Sequence, residues 1–154
     1  MDYSSLQLQF DGGSRGNPGV AGCGFTLTTP EGQLVYEYGD YLGHRTNNYA
    51  EYTALIRGVE AALRLGAKKL AIKADSELVV RQVLGIYRVK NATLKPLYQQ
   101  AVDLLTKIPS WSIQHVYRSA NVRPDGLANI AMNIQGAIYG GPGAAILYPQ
   151  ESNP

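Results

Sequence analysis

The chain carries 154 residues, with 14 Lys+Arg against 12 Asp+Glu and a formal charge of +2, a length that supports one domain with its own core. So mild a charge does not announce nucleic-acid binding in the way a basic tail or a strongly basic domain would, and by itself decides nothing. No run reaches the roughly 18 to 20 apolar residues of a membrane span, the start Met1-Asp2-Tyr3-Ser4-Ser5 lacks the basic-then-apolar layout of a signal peptide, and Cys23 as the single cysteine supplies neither a disulfide framework nor a zinc cluster. A cytoplasmic protein with no membrane partner is the expectation. The 11 tyrosines and 17 glycines suit strands and turns and carry no function of their own.

Leu6, Leu8 and Phe10 alternate with Gln7 and Gln9, the period-two mark of a half-buried strand, and Asp11-Gly12-Gly13 is expected to end it. Cys23, Phe25 and Leu27 form a second alternating set. Leu34, Tyr36 and Tyr38 form a third after a turn at Pro30-Glu31-Gly32. These three runs predict an antiparallel meander. From about residue 48 to 65 the spacing changes to three and four, through Ala54, Leu55, Gly58, Val59, Ala62 and Leu63, and Gly66 supplies a stop; this is an amphipathic helix. Leu70, Ile72 and Ala74 make a short strand ending at Asp75, and residues 76 to 84 a helix carrying Leu78, Val79 and Val83. Leu94, Leu97, Ala101, Leu104, Leu105 and Ile108 outline another helix, residues 111 to 116 a strand, and Pro124 opens a last helix to about Gln135.

Strands in a run followed by alternating helices and strands imply a mixed α/β domain, antiparallel at first and parallel where helical crossovers return the chain to the sheet, with helices on both faces. Residues 1–135 are expected to form the functional domain. Residues 136–154 read as a Gly/Pro-rich tail without periodicity, in which the apolar stretch 144–148 is a candidate edge strand.

Four acids stand out. Asp11 and Asp75 fall at predicted strand ends, where open sheets place ligand crevices, and Asp125 opens the last helix. Glu51 precedes Ala54, Leu55 and Gly58 by three, four and seven residues, so it shares the face that packs on the sheet. Each acid alone has an ordinary explanation in turn or helix-start chemistry. Together they form a partly buried cluster of hard oxygen ligands without histidine or cysteine, which suits Mg²⁺ or Mn²⁺. Two such ions about 4 Å apart serve phosphodiester hydrolysis.

The residues Phe10-Asp11-Gly12-Gly13-Ser14-Arg15-Gly16-Asn17-Pro18-Gly19 resemble the first-strand motif of type 1 ribonucleases H. Thr46-Asn47-Asn48-Tyr49-Ala50-Glu51 resembles the start of that family's first helix. Ala74-Asp75-Ser76 resembles its fourth-strand end, and Asn121-Val122-Arg123-Pro124-Asp125-Gly126-Leu127-Ala128-Asn129 its final motif. The likeness spans roughly residues 5 to 135. It implies a ribonuclease H-like fold with a five-stranded mixed sheet flanked by helices. It also implies an endonuclease that cuts the RNA strand of RNA–DNA hybrids, leaving 5′-phosphate and 3′-hydroxyl ends; a monomer is the expectation. By resemblance Asp11 bridges two Mg²⁺ ions (Mn²⁺ as a substitute), Asp125 joins it on the ion that activates water, and Glu51 and Asp75 hold the second. Gly12, Asn17, Asn47, Asn48 and Asn121 match substrate-contacting positions, the amides reading ribose 2′-hydroxyls in the minor groove, and Thr46 matches a contact to the DNA strand.

Two departures mark the chain. The helper that many members carry as a histidine before the last aspartate is either Arg118 or His115; His115 shares the alternation of Trp111 and Ile113, which favours Arg118. Only residues 85–96 occupy the place where some members insert a basic handle, so Arg88, Lys90 and Lys95 remain; a short form without handle or separate hybrid-binding domain is expected, with a reduced salt dependence of binding. The rival readings are another nuclease on the same superfold and a catalytically weak hybrid-binding module. Asp11-Gly12-Gly13 in place of Asp-x-Glu argues against a proofreading exonuclease, and the intact acid quartet against the binding module.

Overall fold

The computed structural model describes residues 2–149. Three long strands open the chain, β1 (Ser5–Arg15), β2 (Gly19–Thr28) and β3 (Leu34–Arg45). Helix α1 (Asn47–Arg64), strand β4 (Lys69–Ala74), helices α2 (Glu77–Val83) and α3 (Lys95–Leu105), and strand β5 (Ser110–His115) follow. A 3₁₀ turn (Arg118–Ala120) leads into α4 (Val122–Ile134), β6 (Ile138–Gly140) and the single-turn helix α5 (Ala144–Leu147). The sheet order is β5-β4-β1-β2-β3-β6. β1, β2, β3 and β6 pair antiparallel, and β4 joins β1 and β5 in parallel. This is the expected mixed α/β architecture.

Alternation assigns the two faces of the sheet. Leu6, Leu8 and Phe10 are buried, and the register sets Leu8 beside Leu27 and Phe10 beside Phe25, so β1 and β2 present one apolar face to α1. Tyr52, Leu55, Ile56 and Val59 of α1 join that core, with Ala101 and Leu105 of α3 and Val79 and Val80 of α2. The opposite face is paved with glycine. A Cβ at Gly39 would lie 2.6 Å from the Leu127 carbonyl oxygen, and one at Gly24 would overlap that of Pro124, so only glycine admits the α4 backbone this closely. Leu127, Ala128, Ala131 and Met132 of α4 are buried there.

Several expectations change. β1 does not stop at Asp11: it stays paired with β2 as far as Arg15↔Val20, and what ends at Phe10↔Ala74 is its ladder with β4. α4 begins two residues before Pro124, which occupies its first turn and is buried. The sheet has six strands instead of five, because Ile138–Gly140 of the tail pairs with Glu37–Gly39. The stretch 144–148 adds no strand. Its first four residues make a helical turn whose Leu147 is buried and whose Leu147 carbonyl accepts a 2.6 Å bond from Arg64 of α1. An apolar side chain seated against a helix offers more burial than an edge pairing of five residues. Residues 150–154, the end of the expected tail, lie outside the described part.

Candidate active site

The β1–β4 ladder brings the first two acids together. Phe10 and Ala74 form its last rung, so Asp11 and Asp75 follow side by side where the two strands diverge. Glu51 reaches them from the second turn of α1, whose start is set by Thr46: its side chain accepts a 3.2 Å bond from the Tyr49 N–H. Ser76 caps α2 in the same way directly after Asp75, through the Val79 N–H at 3.3 Å. Capping satisfies amide donors that a helix start leaves free, and here it also fixes where each acid stands. Asp125 approaches from the first turn of α4 and lines the same cleft as Asp11.

Ligand oxygens of Asp11, Glu51 and Asp75 all lie within 4.8 Å of one another. Asp11 is 8% and Glu51 7% exposed. Burial is the main force raising both carboxyls; it pushes Asp11 up to about 7, with Asp75 and Asp125 adding to the rise and a hydrogen bond from Glu51 opposing it. Glu51 is raised well above the usual carboxylate range, first by burial and then by Asp11. Glu51 Oε2 and Asp75 Oδ2 are buried with no hydrogen-bond partner. Oxygens left in that condition cost free energy, and a divalent cation among the three carboxylates would reverse the sign. Hard oxygen donors without nitrogen or sulfur match that class of ion.

The acids open onto a cleft of about 400 Å³, lined also by Gly12, Gly13, Ser14, Arg15, Asn47, Asn48, Ser76, Arg118 and Asn129. Asn47 and Asn48 thus flank the carboxylates. Asn17, exposed, is tied to them: its Oδ1 accepts from the Asn47 N–H at 3.1 Å, and Asn47 Oδ1 accepts from the Ser14 N–H at 2.7 Å. Gly12 donates its N–H to the Asp11 carboxylate at 2.9 Å. Arg118 lines the cleft, whereas His115 lines a separate cavity with Val80, Leu84 and Ile113.

Asn121 is not where a substrate contact would need it. It is fully buried, its Nδ2 donates to the Phe10 carbonyl at 2.8 Å, and its Oδ1 accepts from Gln9 Nε2 at 3.4 Å. Its observed work is to tie the loop before α4 to β1 next to Asp11. Arg15 and Asn129 also line the cleft, with no role evident from sequence motifs alone; the signal available was the four-residue spacing of Asn129 from Asp125 on one helix face.

Comparison with known proteins places this geometry. The profile of the family described as Reverse transcriptase-like matches residues 9–131. Ribonuclease HI of Halobacterium salinarum is 44% identical over 128 residues, which cover 83% of this chain and 64% of that protein. Its crystal structure superposes with a TM-score of 0.82 at 42% identity, covering 84% of this chain and 98% of that one. The chain belongs to the type 1 ribonuclease H family. The LC11 ribonuclease H1, solved in complex with an RNA/DNA hybrid, superposes at a TM-score of 0.81 with 38% identity over 84% of this chain and 98% of its own. The bifunctional protein Rv2228c of Mycobacterium tuberculosis is 42% identical over 82% of this chain. The chain spans only 64% and 35% of the lengths of the Halobacterium and Mycobacterium relatives. Among the described residues no helix is long and apolar enough to cross a membrane.

Proposed function

We propose that this type 1 ribonuclease H is a divalent-metal endonuclease that hydrolyses the RNA strand of RNA–DNA hybrids, leaving 5′-phosphate and 3′-hydroxyl ends. The observation that carries the proposal is the buried trio Asp11, Glu51 and Asp75 with two unpartnered oxygens, set in one cleft with the Asn47 and Asn48 amides. The hybrid in the LC11 structure supports the substrate class. Mg²⁺ is the ion proposed, with Mn²⁺ as a substitute, and two such ions would be held by Asp11 and Asp125 on one side of the cluster and by Asp11, Glu51 and Asp75 on the other. When bound, such ions activate a water and offset charge at the phosphodiester.

The chain's own residues do the rest. Asn47 and Asn48 hydrogen-bond the strand that carries 2′-hydroxyls, the group by which RNA is told from DNA, and Asn17 and Thr46 hold the helix start that presents them. Arg118, in the cleft wall, assists departure of the cut strand; His115 faces a different cavity and has no part in it. Catalysis resides in residues 1–135, which contain all four acids, and the tail supports the β3 edge. We place the enzyme in the cytoplasm as a monomer, in keeping with its one cysteine, Cys23, which is free and buried.

Cleavage of an end-labelled hybrid with Mg²⁺ or Mn²⁺, comparing wild type with Asp11→Asn, tests the reading. Metal-dependent cutting of the RNA strand that the variant lacks supports it. Cutting of duplex DNA instead, or hybrid binding without cutting by either protein, overturns it.

A further inference from the structure

Asp125 differs from the other three acids in how it is held. It lines the same cleft as Asp11 but stands outside the trio whose ligand atoms lie within 4.8 Å of one another. It occupies the first turn of α4 and is only partly buried. A carboxylate so placed keeps rotamer freedom unless a neighbour fastens it.

Asn129, one helical turn further along α4, is that neighbour. Its Nδ2 donates to the Asp125 carbonyl at 3.0 Å and to Asp125 Oδ1 at 3.3 Å. The other end of the amide meets Arg15, at the end of β1, whose Nη2 donates to Asn129 Oδ1 at 3.3 Å and to the Asn129 carbonyl at 3.4 Å. A guanidinium only donates and a carboxylate only accepts. Between them the amide has one workable orientation, oxygen toward Arg15 and nitrogen toward Asp125. The flipped amide would set donor against donor at one end and oxygen against oxygen at the other. Among the described residues Arg15 makes no ion pair with a carboxylate, so Asn129 is its recorded partner, and all three side chains line the same cleft.

We propose that Arg15 and Asn129 form a positioning relay, in which Arg15 sets the Asn129 amide and Asn129 holds the Asp125 carboxylate for the divalent cation that Asp125 would share with Asp11. The inference rests on the metal-nuclease reading above for the existence of that cation. Its own demand is that Arg15 acts on the cation only through Asn129. The bonds are long, so each contributes modestly; the expected effect is a change in affinity of about 5–10-fold, one net hydrogen bond expressed as an equilibrium constant.

The test is a Mn²⁺ titration followed by electron paramagnetic resonance of the free ion, on wild type, Arg15→Ala, Arg15→Lys, Asn129→Ala and the double alanine variant. Asn129→Ala is expected to weaken the lower-affinity ion by that factor while leaving the tighter ion and the metal-free melting temperature in place. Arg15→Ala gives a smaller loss, Arg15→Lys restores most of it, and the double variant binds no worse than Asn129→Ala. Losses that add in the double variant, an unchanged Asn129→Ala, or weakening of the tighter ion instead would overturn the relay. A wild type that binds no Mn²⁺ and cuts no hybrid sinks the nuclease reading itself, whereas a wild type that does both while the two single losses add sinks the relay alone.

Discussion

Gly12 of β1 lies against the backbone of α1 at Glu51: a Cβ at Gly12 would overlap the Glu51 nitrogen and the Ala50 carbonyl group. This contact seats Glu51 beside Asp11. Gly12→Ala is therefore expected to push α1 off the sheet or to fail to fold. Overpacking against rigid backbone costs about 3 kcal/mol or more, and thermal denaturation should show a fall of roughly 6–12 °C at the 2–4 °C per kcal/mol usual for this size. A variant that melts within a degree or two of wild type would show that the approach is not tight.

The raised carboxyls make the metal-free protein pH-dependent. Asp11 sits at about 7 in the folded state against an ordinary value near 4 unfolded, and Glu51 is shifted in the same direction. Because the folded values lie above the unfolded ones, the protonated forms contribute stability that is complete below about pH 4 and lost as pH rises through about 7. Melting temperature in a chelator should fall between pH 5 and pH 8, and Asp11→Asn should flatten that fall. Millimolar Mg²⁺ should raise the melting temperature more at pH 8 than at pH 5, since cation and protons compete for the same oxygens. A metal-induced rise that is equal at both pH values would contradict the assignment.

Arg118 and His115 separate cleanly. Arg118 shares the cleft with the acids and His115 does not. Arg118→Ala is expected to lower steady-state turnover roughly 10-fold, about 1.4 kcal/mol, with little change in a single-turnover burst, the pattern of slowed product release. His115→Ala should match wild type in both. Loss of turnover in His115→Ala alone would reverse the choice.

Ile138–Gly140 of the tail pair with the β3 edge, and the helical turn beyond them meets α1. Leu147 is 3% exposed and its carbonyl is bonded to Arg64. Leu147→Ala should cost about 2–4 kcal/mol, a drop of roughly 5–15 °C in melting temperature, while kcat and KM at 25 °C stay unchanged, because Asp11, Glu51, Asp75 and Asp125 lie elsewhere. A change in KM without loss of stability would give the tail a substrate role instead.

Asp11 and Asp75 were legible because alternating apolar residues run straight up to each of them, and Glu51 because helical spacing carries it onto the buried face. The first six ordered elements follow from the same periodicities. Asn121 was not legible: a buried amide that clamps two backbones and an amide that faces a substrate have the same signature in a single sequence. β6 was hidden because three residues are too few to show a period.

The sequence by itself determined the element order, the mixed sheet, the two faces of β1 and the four acids, since local propensity and hydrophobic periodicity are properties of neighbouring residues. Only the tertiary structure decided that the β1–β4 ladder stops one rung before Asp11 and Asp75, that Arg118 and not His115 lines the cleft, and that Arg15 meets Asn129 from 114 residues away. Those facts depend on strand register and close glycine-mediated packing, which bring distant side chains together and leave no periodic trace along the chain.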